Sequence, residues 1–374
     1  MTAFTASSTN GSLLFALEEI KSIFEGEEFD LIIFSIHPRY NIDQINPLIR
    51  RVFGSINYFA FNATSAFCDE KIIDQGIVAL GIRFNNQRSR FELFFQESLD
   101  EQALQNTATY LNKNQDAFHV LIATYADGAF APFLNALSQR LTYKVDNIIG
   151  GISSGEVVEG ELRTFVYLED KIIKTGFVIL SFYNIQNAME ISLGFKPYGI
   201  TYTITQAENA HLYKVDDQLD FSNIVKDFLK GIPNPQSQYL WYAPIWILEN
   251  DGYVATLRTI EEIGEGYVKF FGPLQEGEQF KISFGTAETI LEANKEAAKN
   301  LLQKLSQMDL VFNFSCIARE YILDEKRSEE IGLYTSILNA HLFGFFTFGE
   351  IGPNKRFSKL KLYNETSLIV GLKE

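Results

Sequence analysis

Apolar positions along this chain change spacing in a recurring order. Leu13, Leu14, Leu17, Ile20, Ile23 and Phe24 fall at helical spacing behind Asn10-Gly11-Ser12, which predicts an amphipathic helix. Residues 31–36 are an unbroken apolar run, read as a buried strand that His37-Pro38 ends. Helical spacing returns over 42–53, with Ile45, Leu48, Ile49 and Val52 inward and Pro47 early enough for a first turn to tolerate it. A second buried strand over 56–61 runs into Asn62-Ala63-Thr64-Ser65, and strand-like runs follow at 75–84 and 90–96.

The same order then begins again. Helices are predicted over 101–112 and 132–140, and buried strands over 120–125 and 146–149, the second entering a tight turn at Gly150-Gly151. Strands at 163–169 and 177–183 follow. The run Lys171-Ile172-Ile173-Lys174-Thr175-Gly176-Phe177-Val178-Ile179-Leu180 keeps the Lys, Ile, Ile, Gly, Val and Leu of Lys71-Ile72-Ile73-Asp74-Gln75-Gly76-Ile77-Val78-Ala79-Leu80. We read this as an internal duplication that presents two matching polar turns, 62–65 and 150–155.

Alternating Thr201, Thr203 and Thr205 predict a half-exposed strand. The polar stretch 206–211 suggests a boundary, dividing the chain into parts 1–205 and 206–374. In the second part a helix is expected at 221–230, strands from 239 to 285, and the longest helix over 286–307 with Ile290, Ala297, Ala298, Leu301 and Leu305 on one stripe. A buried strand over 310–315 and a helix over 327–338 complete it. The fold class expected is α+β, a mixed α/β arrangement in two layered parts, with largely apolar sheets covered by helices.

Composition narrows the function. With 32 basic and 47 acidic residues the net charge is −15, which disfavours nucleic acid and an anionic membrane surface as partners. There are 33 phenylalanines, enough for a Phe-rich core or an apolar pocket. Two cysteines, Cys68 and Cys316, fit a reducing compartment. With no signal-peptide pattern at the start and no run long enough to span a membrane, a cytoplasmic protein is expected.

Three polar stretches stand out near the C-terminal end: Phe314-Ser315-Cys316-Ile317-Ala318-Arg319-Glu320, then Gly344-Phe345-Phe346-Thr347-Phe348-Gly349-Glu350-Ile351-Gly352, then Asn364-Glu365-Thr366. On these the chain resembles the FIST domain family. The first looks like that family's Phe-Ser-Cys-x-x-Arg, the second like its Gly-Phe-(Tyr/Phe)-Thr…Gly-Glu-Ile-Gly, the third like its closing Asn-x-Thr. Glu329 or Glu330 sits where the family usually has Glu. Gly150-Gly151 resembles its second Gly-Gly turn, whereas Phe61-Asn62-Ala63-Thr64-Ser65 departs from Gly-Cys-Ser-x-x-Gly at the first. The resemblance implies a ligand-sensing, signal-transducing module, non-enzymatic and acting through a partner protein. Some stand-alone members resemble haem-binding nitric oxide sensors that regulate a histidine kinase.

A small-molecule site is therefore expected where the polar turns meet the C-terminal stretches. Its candidate residues are Asn62, Ser65, Gly150, Gly151, Ser315 and Cys316, together with Arg319, Gly349, Glu350, Asn364 and Thr366. Arg319 would grip a carboxylate or phosphate of an anionic or zwitterionic metabolite, and Glu350 would take an ammonium group or pair with Arg319. Haem, if bound, would be non-covalent, with His211 as the axial candidate. No His or Cys pair has metal-ligand spacing. A hydrolase reading rests on Ser153, in the elbow-like Gly151-Ile152-Ser153-Ser154-Gly155, or on Cys316. It is the weaker one, because no helix is predicted after that turn and no His neighbours Cys316 in sequence.

Overall fold

The computed structural model describes residues 1–126, 128–216, 218–230, 237–248, 254–354 and 359–374. Three segments of the chain build the same unit. In the first, edge strand Thr2–Ser8 leads to helix Leu13–Ile23, strand Leu31–Ile36, helix Ile42–Phe53, strand Tyr58–Asn62 and return strand Ile77–Arg83. Leu31–Ile36 and Tyr58–Asn62 are parallel, and the return strand lies antiparallel between Leu31–Ile36 and the edge strand. In the second unit Arg90–Gln96, Phe118–Ala123, Ile148–Ile152 and Phe177–Tyr183 take the same four places. In the third, Gln186–Ser192, Leu310–Cys316, His341–Thr347 and Ser367–Lys373 take them.

Between its third strand and its return strand each unit forms a β-hairpin and gives it to a neighbour. Ser65–Cys68 with Lys71–Asp74 completes the sheet of the third unit, on His341–Thr347. Val166–Leu168 with Lys171–Ile173 completes the first, on Tyr58–Asn62. Glu350–Pro353 with Leu360–Tyr363 completes the second, on Ile148–Ile152. The exchange is cyclic and yields three six-stranded sheets of matching strand order.

The expected duplication is thus present, with a third copy beyond it. Ile36 pairs Ile77, Ala123 pairs Phe177 and Ser315 pairs Ser367. These registers align Lys361 to Val370 with the two repeated runs. Asn364-Glu365-Thr366 therefore stands where Asp74-Gln75-Gly76 and Lys174-Thr175-Gly176 stand. The N–H groups of His37, Thr124 and Cys316 each donate at 2.9 Å to the carbonyl of Gly76, Gly176 and Thr366.

The central strands are apolar throughout because both faces are covered. Their inner faces share one core, in which Phe61, Val120, Phe314 and Phe345 meet, and the Phe61 and Phe345 rings lie 4.5 Å apart. Outside, Leu17 and Ile49 cover the first sheet, Leu134 and Leu137 the second, Leu301 and Tyr334 the third.

Residues 195–285 are inserted between the edge strand and the first helix of the third unit, helix Ala287–Lys304. They form a separate half-barrel sheet around Phe221, Phe270 and Phe280. Part of the strand-rich stretch predicted at 239–285, residues 249–253, lies outside the described residues. Its start is helical, Ser237–Leu240, before strand Ile245–Leu248. The polar stretch 206–211 is a hairpin turn at Asn209-Ala210 joining Phe195–Glu208 to His211–Val215.

Gly150 and Gly151 are not a turn. Both lie inside strand Ile148–Ile152, where a Cβ at Gly150 would stand 1.7 Å from the Leu121 carbonyl oxygen and one at Gly151 2.6 Å from Thr347 Cγ2. The missing side chains let neighbouring backbones and the third unit come close. Gly150→Ala is expected to lower unfolding free energy by about 3 kcal/mol. Gly332→Ala has open space in helix Arg327–Leu338 and should raise it by about 0.5–1 kcal/mol. Urea denaturation of both variants measures the contrast.

Candidate functional site

The parallel strand pairs of the three units end on one side of the molecule, the place where open α/β sheets commonly bind ligands. A cavity of about 880 Å³ lies there. The first unit contributes His37, Thr64 and Ser65, and its exchanged hairpin Asp74 and Gln75. The second contributes Tyr125, Gly155 and Glu156, and the third Cys316, Ile317, Ala318 and Glu320 with Tyr321, Phe348 and Asn364. The half-barrel closes over them with Trp241, Thr259 and Phe271. The cavity thus adjoins both polar turns and all three C-terminal stretches.

Its polar wall is tied together by Arg327. That guanidinium donates to Asp74 Oδ1 at 3.0 Å and to Glu320 Oε1 at 2.6 Å, while Ser65 Oγ donates to Asp74 Oδ1 at 2.9 Å. Burial alone would raise Asp74, but the bonds from Arg327 and Ser65 outweigh it and hold the carboxyl below its ordinary range. Glu320 is raised, because its burial outweighs those same kinds of bond. His37 has both ring nitrogens engaged: Nδ1 accepts from the Arg39 N–H at 3.1 Å, and Nε2 lies 3.3 Å from Glu156. Burial lowers its pKa despite Glu156, so it favours the neutral form. Two polar atoms of the wall have no partner, Asn364 Oδ1 and Trp241 Nε1.

Arg319 is not in this wall. The strand ends at Cys316 and a helix, Ile317–Leu323, begins, which carries Arg319 inward to complete burial. There Nη2 donates to Asn294 Oδ1 at 2.6 Å and Glu330 Oε1 at 3.2 Å, and Nη1 to the Leu193 carbonyl at 3.0 Å. Ser315 Oγ donates to Glu330 at 3.2 Å, Asn294 Nδ2 to Glu330 at 3.1 Å and Ser192 Oγ to Asn294 at 2.6 Å. Arg319 therefore pairs with Glu330, not with Glu350, and joins helix Ala287–Lys304, helix Arg327–Leu338 and the edge strand behind the cavity.

Glu350 and Glu365 form a second buried group, next to Cys316. Glu350 accepts from Thr347 Oγ1 and, at 2.6 Å, from Thr366 Oγ1. Burial nevertheless pushes its pKa up to about 7. Glu365 accepts from Thr259 Oγ1 of the half-barrel at 2.8 Å, and burial together with the Glu350 charge pushes it up to about 8. The Cys316 thiol is pushed well up by burial and by both carboxylates, the reverse of what an activated nucleophile needs.

Of the sequence candidates, Ser65, Cys316 and Asn364 line the cavity. Asn62 lies at the end of its strand with its amide donating to the Ile36 carbonyl and its Oδ1 accepting from the Phe165 N–H, so it pins the exchanged hairpin. Gly150, Gly151, Ser315, Gly349, Glu350 and Thr366 stand in the layer behind. Ser153 is buried and donates to the Asn62 carbonyl. After it comes the hairpin Glu156–Val158 with Glu161–Arg163, not the helix of a nucleophile elbow. His211 is in the half-barrel against Tyr267, ring centroids 5.2 Å apart, and does not border the cavity. An axial haem role does not fit that setting, nor does it fit the doubly engaged His37. No group of three or more His, Cys, Asp or Glu among the described residues is arranged to hold a metal ion.

Sequence reasoning missed His37, Asp74, Glu156, Arg327 and the aromatic residues Trp241 and Tyr321. One signal was available for Asp74. It occupies the place of Asn364 in the repeated run, and both line the cavity. For Trp241 none was, since it reaches the site through the folding of an insertion.

Three repeated units wall the cavity and an inserted sheet covers it. Two known domain families match a chain of this build. The FIST N domain matches residues 30–218 and the FIST C domain residues 223–353. The chain belongs to the FIST family, whose domains are sensory and signal-transducing. It is also similar to an uncharacterized protein of Aquifex aeolicus (strain VF5), 34% identical over 246 residues that cover 63% of this chain and 90% of that one. No helix among the described residues is long and apolar enough to cross a membrane.

Two predictions follow from the buried groups. Glu330→Leu leaves the Arg319 charge uncompensated and should cost about 3–5 kcal/mol of unfolding free energy, read by denaturant titration. Glu350 and Glu365 are raised from 4.5 in the folded state, so folding favours their protonated forms. Their contribution is complete below about pH 4.5 and is lost as pH rises through 7 and 8. Between pH 5 and 8 stability should fall less steeply in Glu365→Gln than in the unsubstituted protein.

Proposed function

We propose that this chain is a cytoplasmic sensor whose small-molecule ligand occupies the cavity between the three units and the half-barrel. The observation that carries this reading is the composition of the wall. Four parts of the chain, the three units and the half-barrel, border one space of about 880 Å³, a volume in the range of small-molecule sites. Ser65, Cys316 and Asn364 contact the ligand directly. Asn62, Gly150, Gly151, Ser315, Arg319, Gly349, Glu350 and Thr366 hold the wall in place behind them.

The signal leaves through the half-barrel. Beside an apolar seam of Leu257, Tyr242 and Trp246 against Ile290, Ile322 and Leu323, polar and aromatic contacts join it to the rest of the chain at the cavity. Thr259 donates to Glu365, Arg258 donates to the Leu362 carbonyl at 3.1 Å, and Trp241 meets Tyr321 edge to face at 4.9 Å. A ligand that touches both sides changes how firmly the half-barrel is held, and a partner protein reads that difference. A histidine kinase is the partner class that the family resemblance suggests.

A thermal-shift screen of amines, amino acids, organic acids and nucleosides tests the reading. Binding at a hundred times Kd should add about 2.7 kcal/mol of stability. Tyr321→Ala, at an exposed rim position, should abolish the shift while leaving the unliganded protein folded. Hits unchanged by Tyr321→Ala and Asn364→Ala would place the ligand elsewhere and sink the proposal.

A further inference from the structure

We infer that the cavity takes an amine-bearing organic cation, held between its carboxylates and its aromatic pairs, and not an anionic metabolite. The inference rests on the cavity being the ligand site. It differs from the sequence expectation, in which Arg319 grips an anion.

Charge is the first argument. Asp74, Glu156, Glu320, Asp324 and Glu325 border the cavity, and Arg327 is the cationic side chain facing them. Its guanidinium is already bonded to Asp74 and Glu320. A ligand carboxylate would have to displace one of these carboxylates and then sit among the rest. Arg319, the cation that the sequence expectation relied on, is completely buried and committed to Glu330, Asn294 and the Leu193 carbonyl. The net charge of −15 also favours the approach of cations over anions.

The apolar wall fits the same ligand. Trp241 and Tyr321 form one edge-to-face pair, centroids 4.9 Å apart, and Tyr125 and Phe348 a second at 5.8 Å. Aromatic faces attract an ammonium or guanidinium group and offer nothing to a carboxylate. Independently of charge, Asn364 is 5% exposed and borders the cavity with its Oδ1 unpartnered. A buried acceptor without a donor costs about 1–3 kcal/mol, which a ligand N–H would recover. Trp241 Nε1 is an unpartnered donor that a hydroxyl or carbonyl oxygen on the ligand, such as the tyramine hydroxyl, would satisfy.

Isothermal titration calorimetry with matched probes tests this: tyramine against tyrosine and 4-hydroxyphenylacetate, and agmatine against arginine. Each amine should bind at least about tenfold more tightly than its carboxylate-bearing counterpart, a difference of about 1.4 kcal/mol. Glu320→Gln should weaken the amine tenfold or more. Asp324→Asn with Glu325→Gln, both on the exposed rim, repeats the charge test if Glu320→Gln fails to fold. Tighter binding of 4-hydroxyphenylacetate than of tyramine, or amine binding indifferent to these substitutions, overturns the cation assignment and leaves the cavity as a site. If neither amine binds while the broad screen returns a non-amine ligand lost in Tyr321→Ala, the assignment alone fails. If no compound of either set binds, both readings fail.

Discussion

Every sheet of the triple unit would end in an unpaired parallel strand were it not for the exchanged hairpins. A bare strand edge is a template for unwanted pairing. Here Tyr58–Asn62, Ile148–Ile152 and His341–Thr347 are each covered by a hairpin from another unit. No unit closes its own sheet, so the three fold as one cooperative body around the shared core. The crossing points of the exchange, just beyond the strand ends, are also where the cavity opens. The Thr64 N–H, for example, donates to Ser154 Oγ of the neighbouring unit at 3.1 Å.

The third unit departs from the other two in ways that matter for a sensor. It carries the half-barrel insertion, and polar residues replace apolar or glycine positions. Glu350 stands where the hairpins of the other units have Ala66 and Val166, and Glu365-Thr366 where they have Gln75-Gly76 and Thr175-Gly176. Buried carboxylates and a buried guanidinium are costly elements that a packed apolar core would not need. Their placement links two interfaces: Arg319 fixes the helices behind the wall, and Glu365 reaches Thr259 across to the half-barrel.

Much of the local structure was legible. The apolar runs at 31–36, 120–125 and 310–315 became buried strands because a strand covered on both faces has no polar side to show. The amphipathic stripes became helices lying on the outer faces. The family could be recognised from the three C-terminal stretches, because their polar residues interrupt strands that packing alone would keep apolar. What escaped was long-range pairing. Nothing local in Ser65–Cys68 says that it will lie on His341–Thr347, and the first strand, Thr2–Ser8, is built of small and polar residues that carry little strand signal. The direction of Arg319 was equally hidden. An arginine after a buried strand faces solvent or core depending on the helix phase set two residues earlier, at Ile317. Gly150-Gly151 was read as a turn because a sequence does not distinguish glycine that bends a chain from glycine that lets another chain approach.

The division between wall and support explains why the most distinctive residues are not the ones that would meet a ligand. Arg319, Glu330, Glu350 and Glu365 are all fully buried, with geometry fixed by hydrogen bonds among themselves and their neighbours. Residues of that kind hold a rigid framework behind the cavity. The cavity surface is made instead by Trp241, Tyr321, Glu156 and Glu325, which come from an insertion, a short helix, the small hairpin Glu156–Val158 with Glu161–Arg163 and a 3-10 turn. Such segments can change without disturbing the exchanged sheets. The buried framework and the cavity surface meet at Asn364-Glu365. Asn364 faces the cavity, and Glu365, the next residue, is bonded to the half-barrel. Asn364 is therefore linked through one peptide unit to the Thr259–Glu365 hydrogen bond, one of the contacts between the third unit and the half-barrel.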